Sequence, residues 1–438
     1  GGIKNFMTVN TSFTLPSGLT LKNRIIKSAL TEGIADANNF ANQRHINLYS
    51  KWSAGEMGAL LTGNVQVDKR FLEGPGNVAI EKGTVDKQFD YLKRWAEAAS
   101  KNNTQAWMQI SHAGRQTPEG IHPSPFSPSD VQLKIPGKKY GKPTPMTTYD
   151  IEDVIERFVF TAKIAKEAGF SGIQLHSAHG YLLSQFLSPD INLREDDWGG
   201  SIENRSRLLR TIIKECRSEL GKDFTISVKL NSADFQKGGF SPEDSIQVAK
   251  YLNEIRIDLL EISGGTYEQP RLIGNDNISI NPKRSLPRKE STIAREAFFL
   301  DYAAKMSAVI EIPLMVTGGF RTMEGMNQAL ESGACDLIGI GRPICGNPYS
   351  VKEMLEGDEE SLPSYEKTLR IGPGILSSQS PIKLIQALNA FSQMAWFYTQ
   401  IKRMGDGNEP NLELKIFKAF NINNKDEENS LKNIKGTA

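Results

Sequence analysis

Eight short apolar runs lie between Arg24 and Gly339, and most are followed by a stretch with helical periodicity. This alternation is the mark of βα units on a parallel sheet, because a parallel crossover needs a connection long enough to return the chain. The runs are Arg24–Leu30, Gly58–Val67, Gln105–Ser111, Gly172–His176, Thr225–Asn231, Asp258–Ser263, Leu314–Thr317 and Asp336–Gly339. Asp86–Ser100 and Ile151–Ala168 carry apolar residues at three- and four-residue spacing, as amphipathic helices do. Ser201 is suited to cap a helix running to Leu220, Pro242 to the first turn of Glu243–Asn253, and Gly333 to the end of Met323–Ser332. Eight such units in one series predict an α/β fold, a closed (β/α)8 TIM barrel. The 438 residues exceed what a barrel needs, so the expected organisation is a barrel over 1–374 with a C-terminal extension over 375–438.

Two connections are long for simple βα loops. Arg115–Asp150 contains seven prolines, and Gly264–Glu290 is polar and also broken by proline. Both follow strands, on the face where barrels keep their chemistry, and are expected to be capping loops. Pro381–Arg403 predicts one further helix, whose apolar side would dock on the barrel or on a partner subunit. Asn421–Ala438 is polar and of low complexity, and predicts a tail.

Charge excludes some functions. A net charge of +1 offers no basic surplus for nucleic acid. No apolar run approaches a membrane span, and Gly1–Phe13 lacks a signal-peptide core. The three cysteines, Cys216, Cys335 and Cys345, have neither disulfide parity nor metal-cluster spacing, so a reducing cytoplasm is the expected location.

Polar residues at strand ends need a reason, because a strand buried on both faces should be apolar. Thr31 closes the first run and Gly63–Asn64 interrupt the second, while Gln109 and His112 sit on the third. His176 and His179 end the fourth and Lys229 lies in the fifth. Gly318–Gly319 end the seventh and Gly341–Arg342 the eighth. Three of the chain's five histidines fall in this set. Glycines admit close approach of backbone N–H groups to an anion, and Arg342 adds a forked cation, so these last two pairs predict a phosphate site. Tight turns alone would also use such glycines. No G-x-G-x-x-G follows the first strand, which argues against a dinucleotide held in Rossmann mode. His176-Ser-Ala-His179 has three readings: core histidines, a metal pair, or two N–H donors converging on a substrate oxygen. The last gains from Tyr181, whose phenol can donate a proton.

Leu21–Thr31 (LKNRIIKSALT), Met108–Gln116 (MQISHAGRQ), Leu175–Pro189 (LHSAHGYLLSQFLSP) and Trp198–Arg207 (WGGSIENRSR), with the Gly-Gly and Gly-Arg pairs, carry a family resemblance. From about Leu19 to Pro348 the chain resembles the old yellow enzymes, FMN-dependent NAD(P)H oxidoreductases related to the flavin barrel of 2,4-dienoyl-CoA reductase. The resemblance implies that Ser28, Ala29, Leu30, Thr31 and Gly63 border the flavin, with Thr31 near its O4 and N5. It implies Gln109 on the pyrimidine edge, Lys229 at N1 and O2, and Gly318, Gly319, Gly341 and Arg342 around the phosphate. His176 and His179 would hold the substrate oxygen, and Tyr181 would give the proton. Asn204 and Arg205 are expected to be structural.

Three departures stand out. Lys229 replaces the arginine of many relatives, Ser28 and Ala29 occupy a place where many have proline, and the iron–sulfur cysteines of the dienoyl-CoA reductases are absent. The expectation is therefore an FMN enzyme reduced directly by transient NAD(P)H, acting on α,β-unsaturated carbonyl compounds without nucleic-acid or membrane partners, as monomer or homo-oligomer. The competing readings are a flavin-free barrel with Lys229 as a Schiff-base lysine, and a non-catalytic flavin-binding protein. The first leaves Gln109, His176 and His179 without a coherent role, and Tyr181 next to two converging histidines speaks against the second.

Overall fold

The protein is described here from a computed structural model covering residues 8–231, 239–263 and 301–436. Its barrel strands are β1 (Ile25–Lys27), β2 (Ala59–Leu61), β3 (Gln105–Ser111), β4 (Gly172–Ser177), β5 (Thr225–Asn231), β6 (Leu259–Ser263), β7 (Leu314–Thr317) and β8 (Leu337–Ile340). Each pairs in parallel with the next in chain order. The ring closes where β8 pairs with β1, Ile338 opposite Ile25 and Ile340 opposite Lys27. This is the (β/α)8 barrel that the alternation predicts, with every strand falling inside or within a residue of its apolar run.

The surrounding helices include α1 (Gln43–Ser53), α2 (Phe89–Ala99), α3 (Thr148–Ala168), α4 (Arg207–Leu220), α5 (Pro242–Ile255) and α6 (Met323–Glu331). Local chemistry sets their ends. Thr147 and Asp150 form a reciprocal capping box at the start of α3, and Gly169 ends it at φ +107°. Ser241 Oγ accepts from Asp244 N, with Pro242 in the first turn of α5. Ser201 does cap a helix, but only the turn Ile202–Arg205, after which Ser206 restarts the chain into α4.

Strand residues alternate between two cores. Ile25, Leu60, Met108, Ile173, Val228, Leu260, Val316 and Ile338 face the helices and join one large apolar cluster. Ile26, Ala59, Leu61, Trp107, Leu259, Met315 and Leu337 form a second cluster inside the barrel. The hairpin Phe13–Thr14 with Thr20–Leu21 closes that cluster with Leu15 and Leu21, both buried.

Beyond the barrel, α7 (Lys383–Gly405) packs on α1 and buries Trp396, Ile401 and Met404 in the large cluster. The polar run read as a tail is instead mostly helical, as α8 (Ile416–Gly436). Its first turns bury Ile416 and Ala419, and Lys402 of α7 donates to Asn423 at 3.0 Å and faces Asp426 at 3.8 Å. An anchored first turn removes the nucleation penalty, so the polar residues beyond it continue the helix. The excursion 115–150 pairs Phe126–Ser127 with Thr144–Pro145, and Gly120 approaches Leu431 of α8. The expected loop Gly264–Glu290 lies outside the described residues. Among the described residues, no helix is long and apolar enough to cross a membrane.

Candidate active site

Toward the C-terminal ends of the strands the inward positions change from apolar to polar. Trp107 gives way to Gln109 on β3, and β4 presents Gln174 and His176. Lys229 lies on β5, Glu261 on β6 and Thr317 on β7. Strand register sets Gln109 beside Gln174, and Lys229 beside both His176 and Glu261. Gln109 Nε2 donates to Gln174 Oε1 at 2.9 Å, and Gln174 Nε2 donates to Glu261 Oε1 at 3.0 Å and Ser227 Oγ at 3.2 Å. Lys229 Nζ lies 3.3 Å from Glu261 Oε2, which also accepts from Thr317 Oγ1 at 2.8 Å. A layer this polar is tolerated in a barrel interior because its members bond one another.

The turn after β4 brings the histidines and Tyr181 together. His179 and Gly180 both have left-handed backbones, φ +57° and +75°, which reverse the chain sharply. The strained His179 is held by its own N–H to Asn231 Oδ1 at 2.8 Å and by Gln116 Nε2 to its carbonyl at 2.7 Å. The His176 ring lies 5.2 Å from that of His179 and 4.9 Å from that of Tyr181, edge-on in both cases. His176 Nδ1 accepts the Ala178 N–H at 3.3 Å, which assigns the ring proton of the neutral imidazole to Nε2. Burial, and then the charge of Lys229, hold its pKa well below the usual histidine value. His179 Nε2 meets Ser263 Oγ at 2.9 Å. Among the described residues, no cluster of three or more His, Cys, Asp or Glu side chains is arranged to hold a metal.

The end of β1 lies between two glycines. A Cβ on Gly63 would sit 2.6 Å from Leu30 O, and one on Gly341 would sit 3.0 Å from Leu30 Cδ2. Ser28 N donates to Ile340 O, after which Ala29, Leu30 and Thr31 leave the sheet. Ser28 Oγ then meets Thr317 Oγ1 at 2.9 Å across Gly339, where a Cβ would come within 2.0 Å of Thr317 Oγ1. Thr31 Oγ1 reaches toward Glu73 Oε1 at 3.5 Å, and burial pushes the Glu73 carboxyl up. Gly318 and Gly319, the latter at φ +76°, follow β7, and the exposed Arg342 follows β8. Arg321 is close by and paired with Glu366 at 3.1 Å. Its pKa is lowered mainly by burial, partly restored by Glu366, and lowered again by Arg342.

Ser28–Thr31, Gly63, Gln109, His176, Lys229, Gly341 and the two turn glycines thus converge on one mouth of the barrel. Asn204 and Arg205 lie away from it: Arg205 pairs with Asp244 at 2.9 Å, and Asn204 Nδ2 donates to Gly199 O. Sequence reasoning did not single out Gln174, Glu261, Glu73, Arg321 or Ser263. Glu261 had a readable signal, a carboxylate in the middle of the apolar run Asp258–Ser263. The donor set suits a flavin. Gln109 has donor and acceptor capacity left beyond its bond to Gln174, Lys229 supplies a cation, and the glycines keep the β1 end and the phosphate-type turns open.

Fold and site together give a (β/α)8 barrel whose mouth carries a donor set compatible with a flavin. The NADH:flavin oxidoreductase / NADH oxidase family model matches residues 13–360, and the chain belongs to that family, the old yellow enzymes. It is 33% identical to proteins named NADH-dependent flavin oxidoreductase iliE from Neonectria sp. (strain DH2) and Hypocrea jecorina (strain QM6a). The matches take in 77% and 79% of this chain, and 46% and 88% of those proteins, so the chain spans about half of the first. An old yellow enzyme homologue from Zymomonas mobilis has the same fold, with a TM-score of 0.67 at 23% identity, covering 86% of this chain and 99% of that one.

Proposed function

We propose that the chain is an ene-reductase that binds FMN at this mouth, takes reducing equivalents from NADH or NADPH, and reduces the C=C bond of α,β-unsaturated carbonyl compounds. The observation that carries the reading is the neutral His176, with its Nε2 proton directed by the Ala178 bond, set against Tyr181 at the edge of the Gln109–Lys229 layer. When bound, FMN supplies a two-electron carrier that takes hydride from the nicotinamide and yields it to the substrate β-carbon. The protein does the rest by position and charge.

Gln109 would offer an amide N–H and carbonyl to the pyrimidine edge, Lys229 a charge at its N1–O2 side, and Thr31 a hydroxyl beside O4 and N5. Gly318, Gly319, Gly341 and Arg342 would hold the phosphate. His176, with His179, would donate to the carbonyl oxygen where negative charge develops. Tyr181 would pass its Oη proton to the α-carbon. The barrel of 1–374 would house this chemistry, with 375–438 as a helical extension. The three free cysteines are buried, each thiol pushed up to about 12 mainly by desolvation, so none is poised as a reactive thiolate at this mouth.

The test is stopped-flow measurement of both half-reactions with cyclohexenone as acceptor. The protein should release FMN on heating, and Tyr181→Phe should slow enone reduction by ~10²–10⁴ while leaving reduction by NAD(P)H unchanged. Protein that neither carries nor takes up FMN would sink the reading. Equal losses in both half-reactions would make Tyr181 structural.

A further inference from the structure

Glu261 is fully buried in the centre of the polar layer, and three lines of hydrogen bonding end on it. A carboxylate only accepts, so it fixes the direction of every bond that reaches it. Gln174 must turn its NH₂ toward Glu261 Oε1 and Ser227 Oγ, which leaves its Oε1 to accept from Gln109. Gln109 must therefore spend one N–H on Gln174, and presents its second N–H and its carbonyl elsewhere. On the other side Thr317 donates to Glu261 Oε2, so the Ser28–Thr317 bond runs from Ser28 Oγ to Thr317 Oγ1. The third line is the ion pair with Lys229.

We infer that Glu261 is the positioning residue for the flavin's pyrimidine end: it orients the Gln109 amide through Gln174 and offsets the charge of Lys229. This rests on the FMN placement proposed above. Lys229 and Glu261 then form a locally neutral pair where a lysine alone would favour the anionic reduced flavin. The chain can thus keep a buried cation at that position without holding its flavin too readily reduced.

The test is the two-electron reduction potential of bound FMN in wild type, Glu261→Gln, Glu261→Asp, Lys229→Met and the Glu261→Gln/Lys229→Met double variant. A unit charge several ångströms away at intermediate dielectric gives a shift of about ten-fold or more in the reduction equilibrium, or about 30 mV or more for a two-electron couple. Glu261→Gln should shift the equilibrium toward reduced flavin by this amount and Lys229→Met away from it, while the double variant and Glu261→Asp stay near wild type. A potential in Glu261→Gln equal to or below that of wild type overturns the inference, since loosened packing alone has no reason to raise it.

Glu261→Gln leaves a buried lysine unpaired and can fail to fold. In that case Lys229→Met against the double variant decides: the double variant must lie higher, and equal potentials overturn the inference. The failures are distinguishable. Wild type that takes up no FMN removes the functional reading and this inference with it. Wild type that binds FMN with the signs above unmet removes only the role of Glu261.

Discussion

The barrel interior is two environments stacked along one axis. Below, Ile26, Leu61, Trp107, Leu259, Met315 and Leu337 interlock above the N-terminal hairpin that closes the barrel floor, with no side-chain charge among them. One pleat step higher, Ser28 just past β1, Gln109 on β3, Glu261 on β6 and Thr317 on β7 replace them, and Lys229 joins from β5. The lower layer holds by dispersion and exclusion of water, which act in any direction and depend on volume. The upper layer depends on direction, because each buried polar group needs a partner at hydrogen-bond distance. The difference separates stability from chemistry within a single set of strands. It predicts that substitutions below should act on folding and substitutions above on the bound cofactor.

Trp107→Ala tests that division most severely. Its ring is fully buried beside Ala59, Met315 and the other lower residues, and truncation should cost about 3–5 kcal/mol of stability. Urea unfolding of the apoprotein should show the full loss, with the FMN affinity of the still-folded fraction little changed. A normal midpoint with weakened FMN would erase the distinction between the layers.

Arg342→Ala should act in the opposite sense. The guanidinium is exposed, so the unfolding midpoint of the apoprotein should hold while FMN retention weakens. Loss of a charge-assisted contact of roughly 1.5–3 kcal/mol gives a rise in Kd of about ten-fold to a hundred-fold by fluorescence titration. Unchanged affinity would leave the phosphate to the glycines and Arg321.

The smallest effect is an expected absence. His176 is held neutral by burial and Lys229, so its hydrogen bond to a phenol bound in place of the substrate, with the phenol oxygen where the carbonyl oxygen would lie, should add no inflection near pH 6.5. Stability should respond there instead. Burial lowers His112 to about 4 and His45 to about 3, so on acidification the unfolded chain takes up protons that the folded chain refuses. Stability is therefore full above pH 6.5 and falls as pH drops toward 4. His112→Asn, whose carbonyl can still accept the Gly114 N–H now bonded to Nδ1, should flatten that slope in denaturant titrations at several pH values. A phenol-binding transition at pH 6.5 would mean that a titrating histidine faces the ligand.

The eight strands were legible in the sequence because a strand buried on both faces must be continuously apolar, and that requirement is local. The strand-end glycines, Gln109, Lys229 and the His176–Tyr181 turn were legible as candidates for the complementary reason: they interrupt runs that burial on both faces should keep apolar. Helix α8 was not, since beyond Ile422 only Leu431 and Ile434 interrupt a polar run, and the helix is anchored through Ile416 and Ala419. Glu261 was present in the sequence as a lone acid in an apolar run, but its partners lie 32, 56 and 87 residues away, at Lys229, Thr317 and Gln174. Sequence by itself determined which residue types sit at strand ends. Only closure of β8 against β1 decided which of them meet, because an inward side chain acquires neighbours across the barrel that no spacing along the chain encodes.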